Sequence, residues 1–230
     1  MKKVSISSFI AAGLLATTAQ AEVTANVAMS SDYMFRGISQ TDSTAAISGG
    51  FDYSHDNGFY AGVWASNVDE NFFPGANVEI DTYFGYAGGS DNWSYDVGFL
   101  RYNYPGVKNS DANTNEYYGS VGYDFGVASV TAGLAYSSDF FGLDDSEYYS
   151  LGVDVPVGDY SVAFAYGNQD ADASGVQDYD HFSLGVSGEL TSVALGWDLT
   201  WYDTDDDADV TFGASSLTDS RLVFTVSKSL

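Results

Sequence analysis

Seven acidic side chains recur in segments where apolar and polar residues alternate, and they share one side of that alternation. These acids are Asp32, Asp52, Glu79, Asp81, Asp96, Asp154 and Asp198, and the arginines Arg36 and Arg221 lie on the same side. Neighbouring side chains of an extended strand face opposite sides of a sheet, so all of them fall opposite the apolar row. Because rings of Asp and Glu are how cation channels favour positive solutes, this spacing predicts an acidic, pore-lining wall that prefers cations. The simpler interpretation is that the carboxylates keep the wall hydrated or pair with the two arginines.

A second acidic pattern, near the end of the chain, places carboxylates at every other position. The residues are Asp203, Asp205, Asp207 and Asp209. Calcium loops use alternate carboxylates, so one interpretation is that the acidic loops bind Ca²⁺ or Mg²⁺. An EF-hand would also have a glycine at position six, where this chain has Ala208, and a closing glutamate. The other interpretation is a solvated run of charge, and no other cofactor is predicted.

Residues for nucleophilic catalysis are scarce in this sequence. The chain has no cysteine and two histidines, His55 and His181, and Ser183 shares the inward side of its strand with His181. Some outer-membrane barrels hydrolyse lipids with serine and histidine, but the sequence contains no G-x-S-x-G motif. A lone serine and histidine on an inward wall are usually pore lining. We therefore predict no catalytic residues and a protein that is not an enzyme.

The elements that would position these residues are about twelve strands, each of roughly the nine to eleven residues that a tilted membrane strand needs. The first is predicted over 23–36, with Tyr33 and Phe35 facing outward, and the last over 221–230. The connections alternate between long ones (37–43, 67–77, 104–115, 138–146, 168–178 and 203–217) and short ones (55–58, 88–92, 126, 156–159 and 187–191). Outer-membrane barrels have an even strand number and this alternation. We therefore predict an all-β, transmembrane antiparallel barrel of outer-membrane type, closed by pairing of the last strand with the first.

The start of the chain and its charge bear on location and partners. Residues 1–21 combine two lysines, an apolar stretch and the small-x-small site Ala19-Gln20-Ala21, which predicts a cleaved signal peptide. The barrel is then expected over 22–230, in the outer membrane of a Gram-negative cell. The net charge of −25 argues against nucleic-acid binding. The expected partners are outer-membrane lipid, lipopolysaccharide, the barrel-assembly machinery and small solutes.

Several short motifs resemble one known family. They are S-D-Y-M-F-R-G-I-S-Q-T at 31–41, G-F-D-Y at 50–53, G-F-Y-A-G-V-W at 58–64, E-I-D at 79–81 and Y-D-V-G at 95–98. On these motifs the sequence resembles the TorF family of porins, a proteobacterial outer-membrane family of unknown function. The resemblance implies an outer-membrane, porin-like protein, and it supplies neither a substrate nor site residues.

The filling of the lumen decides whether such a barrel conducts. Twelve strands lie between the eight of a filled barrel and the sixteen of a wide channel, so a narrow pore is expected. Inward aromatic residues would constrict it further, namely Tyr60, Trp64, Tyr83, Tyr102, Tyr148 and Tyr202. Whether the loop 67–77 or the loop 104–115 also folds inward as a plug stays open.

The function predicted from these features is a porin-like channel for passive diffusion of small cationic or neutral solutes through a narrow acidic lumen. One alternative is a non-conducting barrel with a structural or adhesin role through its acidic loops. The other is a lipid-modifying enzyme. Conductance separates the channel from both.

Overall fold

The structure is a computed structural model that describes residues 22–70, 74–107, 112–213 and 215–230. The strands in chain order are β1 (Glu22–Ser30), β2 (Met34–Phe35), β3 (Ile38–Ser39), β4 (Ala46–Ser54), β5 (Phe59–Asn67), β6 (Val78–Ser90), β7 (Trp93–Asn103), β8 (Thr114–Asp124), β9 (Ser129–Ser137), β10 (Ser146–Val157), β11 (Tyr160–Ala171), β12 (Tyr179–Leu190), β13 (Leu195–Thr204) and β14 (Arg221–Ser229). The helices are α1 (Asp207–Phe212) and α2 (Ser215–Thr218). The predicted signal peptide, 1–21, lies outside the described residues. Within these residues no helix has the length and hydrophobicity to cross a membrane.

Twelve of the strands form one closed antiparallel barrel, in which β1 and β4 to β14 each pair with the next strand in order. Closure comes from β14 pairing with β1, in a register that runs from Asn26 opposite Ser229 to Ser30 opposite Thr225. This pairing uses the hydrogen-bonding edges that the first and last strands would otherwise expose. The predicted twelve-stranded barrel and its closure are confirmed, as is the alternation of long and short connections.

Side chains on the barrel strands separate into an apolar outer face and a polar or aromatic inner face. Adjacent residues on β6 illustrate the separation, because Phe84 is 60% exposed and Tyr83 is 6% exposed. Aromatic rings also contact across neighbouring strands close to the short turns, as Trp93 does with Tyr123 and Phe59 does with Tyr86. An exposed apolar band with aromatic residues at its rim is typical of a barrel that lies in lipid.

The first predicted strand is wrong in its second half, and the error changes the description of the lumen. The barrel strand ends at Ser30, and β2 and β3 then form a separate hairpin. The chain reverses at Arg36 and Gly37, whose φ angles are +48° and +83°. Consequently Tyr33 and Phe35, predicted to face outward, pack against Trp64 and Tyr102 on the inner side of the barrel.

The last long connection is also more ordered than predicted. Residues 203–217 were expected to form a loop, whereas β13 continues to Thr204 and two short helices follow. Helix α1 ends at Gly213, whose left-handed conformation (φ +68°) lets its N–H bond to the carbonyl of Asp209. Ala208 and Leu217 are buried beside Ile38 and Tyr179, so the helices cover the hairpin from the loop side.

Candidate functional site

The segment 31–44, called the lumen hairpin below, crosses the barrel interior at the end that carries the long connections. It contacts or lies against nine barrel strands, at Trp64 (β5), Glu79 (β6), Tyr102 (β7), Glu116 (β8), Tyr148 (β10), Gln169 (β11), His181 (β12), Thr204 (β13) and Arg221 (β14). Its residues Ile38, Ser39, Gln40 and Thr41 have almost no exposed surface. Because the contacts reach around the wall, the hairpin fills this end of the lumen.

Arg36 fixes the tip of the lumen hairpin to the wall. Its guanidinium donates to Glu116 Oε1 at 2.6 Å and to Gln169 Oε1 at 2.7 Å, and it lies 4.0 Å from the centroid of the Tyr148 ring. Burial alone would lower the Arg36 pKa, but the Glu116 carboxylate together with the Tyr102 and Tyr148 phenols outweighs burial, and the pKa is raised. The guanidinium therefore stays charged. Breaking a buried ion pair of this kind by removing one partner typically costs about 3 to 5 kcal/mol.

Asp32 and Arg221 anchor the base of the hairpin. Arg221 donates to Asp32 Oδ2 at 2.7 Å, and the hydroxyls of Ser39 and Thr41 both donate to Asp32 Oδ1 at 2.7 Å. Asp32 thus ties the two arms of the hairpin to each other and to β14. Each contact is a charge-assisted hydrogen bond, the stronger class of protein hydrogen bonds.

Two carboxylates of β6 lie beneath the first arm of the hairpin. Tyr33 and Tyr104 donate to the two oxygens of Glu79 at 3.2 and 3.0 Å, and burial raises the pKa of both phenols, so they stay protonated as donors. Asp81 is on the same face of β6 and is 1% exposed. Neither of its oxygens receives an N–H or O–H donor from the described residues. The wall under the hairpin is therefore richer in carboxylates than in donors.

Nearer the short turns, tyrosines span one side of the lumen. Tyr60 donates to Asp96 Oδ1 at 2.6 Å and also contacts the Tyr118 hydroxyl, while Tyr83 donates to Asp52. These residues belong to the neighbouring strands β4 to β8, so the phenols and carboxylates form a network on that side. The constriction predicted for Tyr60 and Tyr83 would therefore lie on the β4 to β8 side of the lumen.

The opposite side of the lumen carries smaller side chains. The inward residues of β10 to β12 include Ser150, Gly152, Asp154, Ser161, Ala163, Ala165, Ser183 and Gly185. A methyl group built on Gly152 would meet no other atom within 4 Å. This side of the lumen therefore has the kind of space that water or a small solute needs.

Of the residues predicted to line a pore, two lie on the lumen hairpin and seven on barrel strands. Asp32 and Arg36 were predicted on the first barrel strand, and the reversal after Ser30 instead places them in the hairpin. The others are Asp52 (β4), Glu79 and Asp81 (β6), Asp96 (β7), Asp154 (β10), Asp198 (β13) and Arg221 (β14).

Sequence reasoning missed Glu116 and Gln169, the two partners of Arg36. Glu116 fell at the boundary between the predicted loop 104–115 and the next strand, which in the structure begins at Thr114, and the loop after β11 was predicted to begin at residue 168. Continuing the same alternation from Tyr118 would have placed Glu116 on the inward side. The signal was present, but it lay at strand ends, where boundaries are hardest to set.

The four acids suggested as a metal site do not lie together on one loop. Asp203 is on β13, Asp205 accepts the backbone N–H of Asp180 at 2.9 Å, and Asp207 and Asp209 are in α1. In the part of the chain that the structure describes, no three His, Asp or Glu side chains converge on a position suited to a metal ion. Metal binding at these acids stays a prediction without geometric support.

His181, the candidate base of a lipid hydrolase, is buried against Tyr148. Its Nε2 lies 2.9 Å from the Tyr148 hydroxyl, and the two rings are stacked. The other histidine, His55, accepts the N–H of Asn57 through Nδ1 at a short turn. These contacts give neither histidine a serine partner.

The architecture defines a class, a small porin-like barrel with an internal hairpin. The chain belongs to the Gcw_chp family, described as a bacterial protein of unknown function, whose model matches residues 15–230. The resemblance to the TorF family is not confirmed by this match. No curated protein matches the sequence.

Solved structures of porins share the fold. The NanC porin is 11% identical, with a TM-score of 0.54 over 90% of this chain and 98% of that chain. The outer membrane protein OpdK from Pseudomonas aeruginosa is 11% identical, with a TM-score of 0.46 over 81% of this chain and 57% of that chain. At this identity, the likeness to NanC establishes the fold alone.

Proposed function

We propose that this protein is an outer-membrane channel for small solutes, with a lumen that prefers cations. The observation that carries the proposal is the uneven filling of the lumen, with open space beside Gly152 on one side and tyrosines on the other. A barrel with a purely structural role has no need for such space. The apolar outer face and the porin-like fold support the membrane location.

The lumen hairpin makes the described state the closed one. It fills the loop end of the lumen, so a solute passes only when the hairpin moves away from the wall. Its contacts are mainly side-chain hydrogen bonds and ion pairs, whereas the barrel strands are joined by continuous backbone ladders. The hairpin can therefore leave while the barrel stays intact, because β2 and β3 pair with each other and not with a strand of the barrel.

The lumen charges favour cations over anions. Arg36 and Arg221 are each paired with one acid, Glu116 and Asp32. Of the remaining predicted wall acids, Asp52, Asp96 and Asp154 form no salt bridge to a cation among the described residues. Asp154 is the member next to the open space at Gly152, so it lies where a solute would pass.

Neutralising Asp154 is expected to weaken cation selectivity. In a planar bilayer with a KCl gradient, the reversal potential of the open channel should move toward zero in Asp154→Asn, because one wall charge beside the path of the ions is lost. Asp159→Asn is the control, since Asp159 is exposed at the turn between β10 and β11. Anion selectivity of the unaltered channel would overturn the predicted preference.

Filling the open side of the lumen is expected to lower the conductance of the open channel. Gly152→Trp places a large side chain where a methyl group has no neighbour, so the unitary current should fall by half or more. Leu151→Trp adds a similar group on the outward face of the same strand and should leave the current unchanged. Equal currents in both variants would mean that ions do not pass along this wall.

The geometry gives less support to the two alternative functions, a lipid-modifying enzyme and an adhesin. A lipid-modifying enzyme would need a nucleophile beside a base, and the His181 ring bonds to a tyrosine instead. An adhesin role through the acidic loops is not favoured by any particular contact. Lipopolysaccharide contact through those loops, with divalent cations between the charges, remains a proposal.

A further inference from the structure

The wall around Arg36 is a preformed receptor for a planar cation. Glu116, Gln169 and Tyr148 come from three different barrel strands, and each presents to Arg36 the group that a guanidinium needs. They supply a carboxylate, an amide oxygen and an aromatic face. Because these residues belong to the barrel and not to the hairpin, the receptor persists when the hairpin leaves.

Electrostatics favour refilling this site with a cation. Glu116 also accepts the Tyr102 hydroxyl at 2.8 Å, which places its carboxylate in a region of low exposure. While the hairpin is inside the lumen, removing the guanidinium therefore leaves the buried Glu116 carboxylate without a cation, which is a costly arrangement.

The geometry selects guanidinium over ammonium. A guanidinium is planar, donates in two directions at fixed angles and stacks on aromatic rings, whereas an ammonium group is compact and more strongly hydrated. Glu116 and Gln169 accept from two different nitrogens, NH2 and NH1, while Tyr148 lies along the face. An ammonium group in one position cannot donate to both Glu116 and Gln169 and also stack on the Tyr148 ring.

We propose that this wall site, built from Glu116, Gln169 and Tyr148, binds the guanidinium head of a small solute. Arg36 is the internal occupant of the site while the hairpin is in the lumen. A guanidinium solute competes with it, and by favouring the hairpin-out state it shifts the channel toward opening. The inference rests on the proposed channel function for its biological meaning, and it names the solute class.

Chemical rescue of Arg36→Ala tests the site. The purified full-length protein in detergent micelles is titrated calorimetrically with methylguanidinium, and separately with methylammonium. We expect R36A to bind methylguanidinium about tenfold or more tightly than the double variant R36A/E116Q, since a hydrogen bond to a charged partner is lost. Methylammonium should bind R36A more weakly, and the unaltered protein should bind methylguanidinium more weakly than R36A does, because the solute must first displace Arg36.

Equal binding of methylguanidinium by R36A and R36A/E116Q, or equal binding of the two cations by R36A, would overturn the proposal. Should R36A fail to fold, Arg36→Gly, which suits the positive φ of this residue and leaves the face of Tyr148 open, replaces it in both the single and the double variant. The titration involves no current. Binding by a barrel that never conducts would therefore overturn the channel function and leave the site, whereas a conducting barrel without rescue would overturn the site alone.

Discussion

Replacing Arg36 with alanine is expected to raise the open probability of the channel about a hundredfold or more. The substitution leaves Glu116 buried without its cation while the hairpin is inside, and hydrated once the hairpin is outside. The closed state alone therefore loses stability, by about 3 to 5 kcal/mol for a broken buried pair. Every 1.4 kcal/mol is about a tenfold change in an equilibrium constant, which sets the expected size of the effect.

Single-channel recording in a planar bilayer measures this open probability. Arg101→Ala is the matched control, because it also removes one arginine near the loop end but one that bonds to Asn103 and Asn115 on the wall. The control should behave like the unaltered protein. An R36A channel that stays closed as often as the control would show that the Arg36 contacts do not hold the hairpin in place.

Gly37→Ala is expected to open the channel by a different route, through crowding at the tip of the hairpin. A Cβ atom on Gly37 would overlap the Thr204 hydroxyl and lie 2.6 Å from His181 Cβ, closer than real atoms approach. The residue also has φ +83°, a left-handed conformation that costs a non-glycine residue roughly 1 to 2 kcal/mol. The steric overlap and the backbone strain both destabilise the state in which the hairpin is inside the lumen, so the variant should conduct most of the time.

The contribution of crowding is isolated by Gly126→Ala. Gly126 has nearly the same φ, +81°, but a Cβ there meets nothing within 4 Å, and it lies at a short turn. This control should lose a similar amount of backbone stability, seen as a modestly lower melting temperature, with the current unchanged. If both glycine variants raised the current equally, general loosening of the barrel rather than release of the hairpin would be the cause.

The barrel was predictable from sequence because its signals are local. Alternation along each strand places Phe84 and Tyr83 on opposite faces without knowledge of any partner strand. Connection lengths then give the topology, since only one end of a membrane barrel carries long loops. The inward position of acids such as Asp52 and Asp154 follows from the same alternation.

The lumen hairpin was not predictable in this way. Tyr33 and Phe35 alternate with polar residues as a lipid-facing strand would, and the inner side of a filled barrel buries aromatic rings equally well. The reversal depends partly on Arg36 adopting a positive φ, which is uncommon for a residue other than glycine. That conformation is held by Glu116 and Gln169, which are 80 and 133 positions away in sequence. The pattern of residues within one strand carries no information about contacts between residues so far apart in the sequence.

The closing role of the hairpin is tested most directly by recording the unaltered protein, R36A and G37A side by side in the same bilayer and comparing their open probability and unitary conductance. We expect the unaltered channel to be closed for most of the record. Both variants should open often and to the same current level, because each releases the same hairpin from the same lumen. An unaltered channel that is already open at that level, with no change in either variant, would contradict the claim that the hairpin closes the barrel.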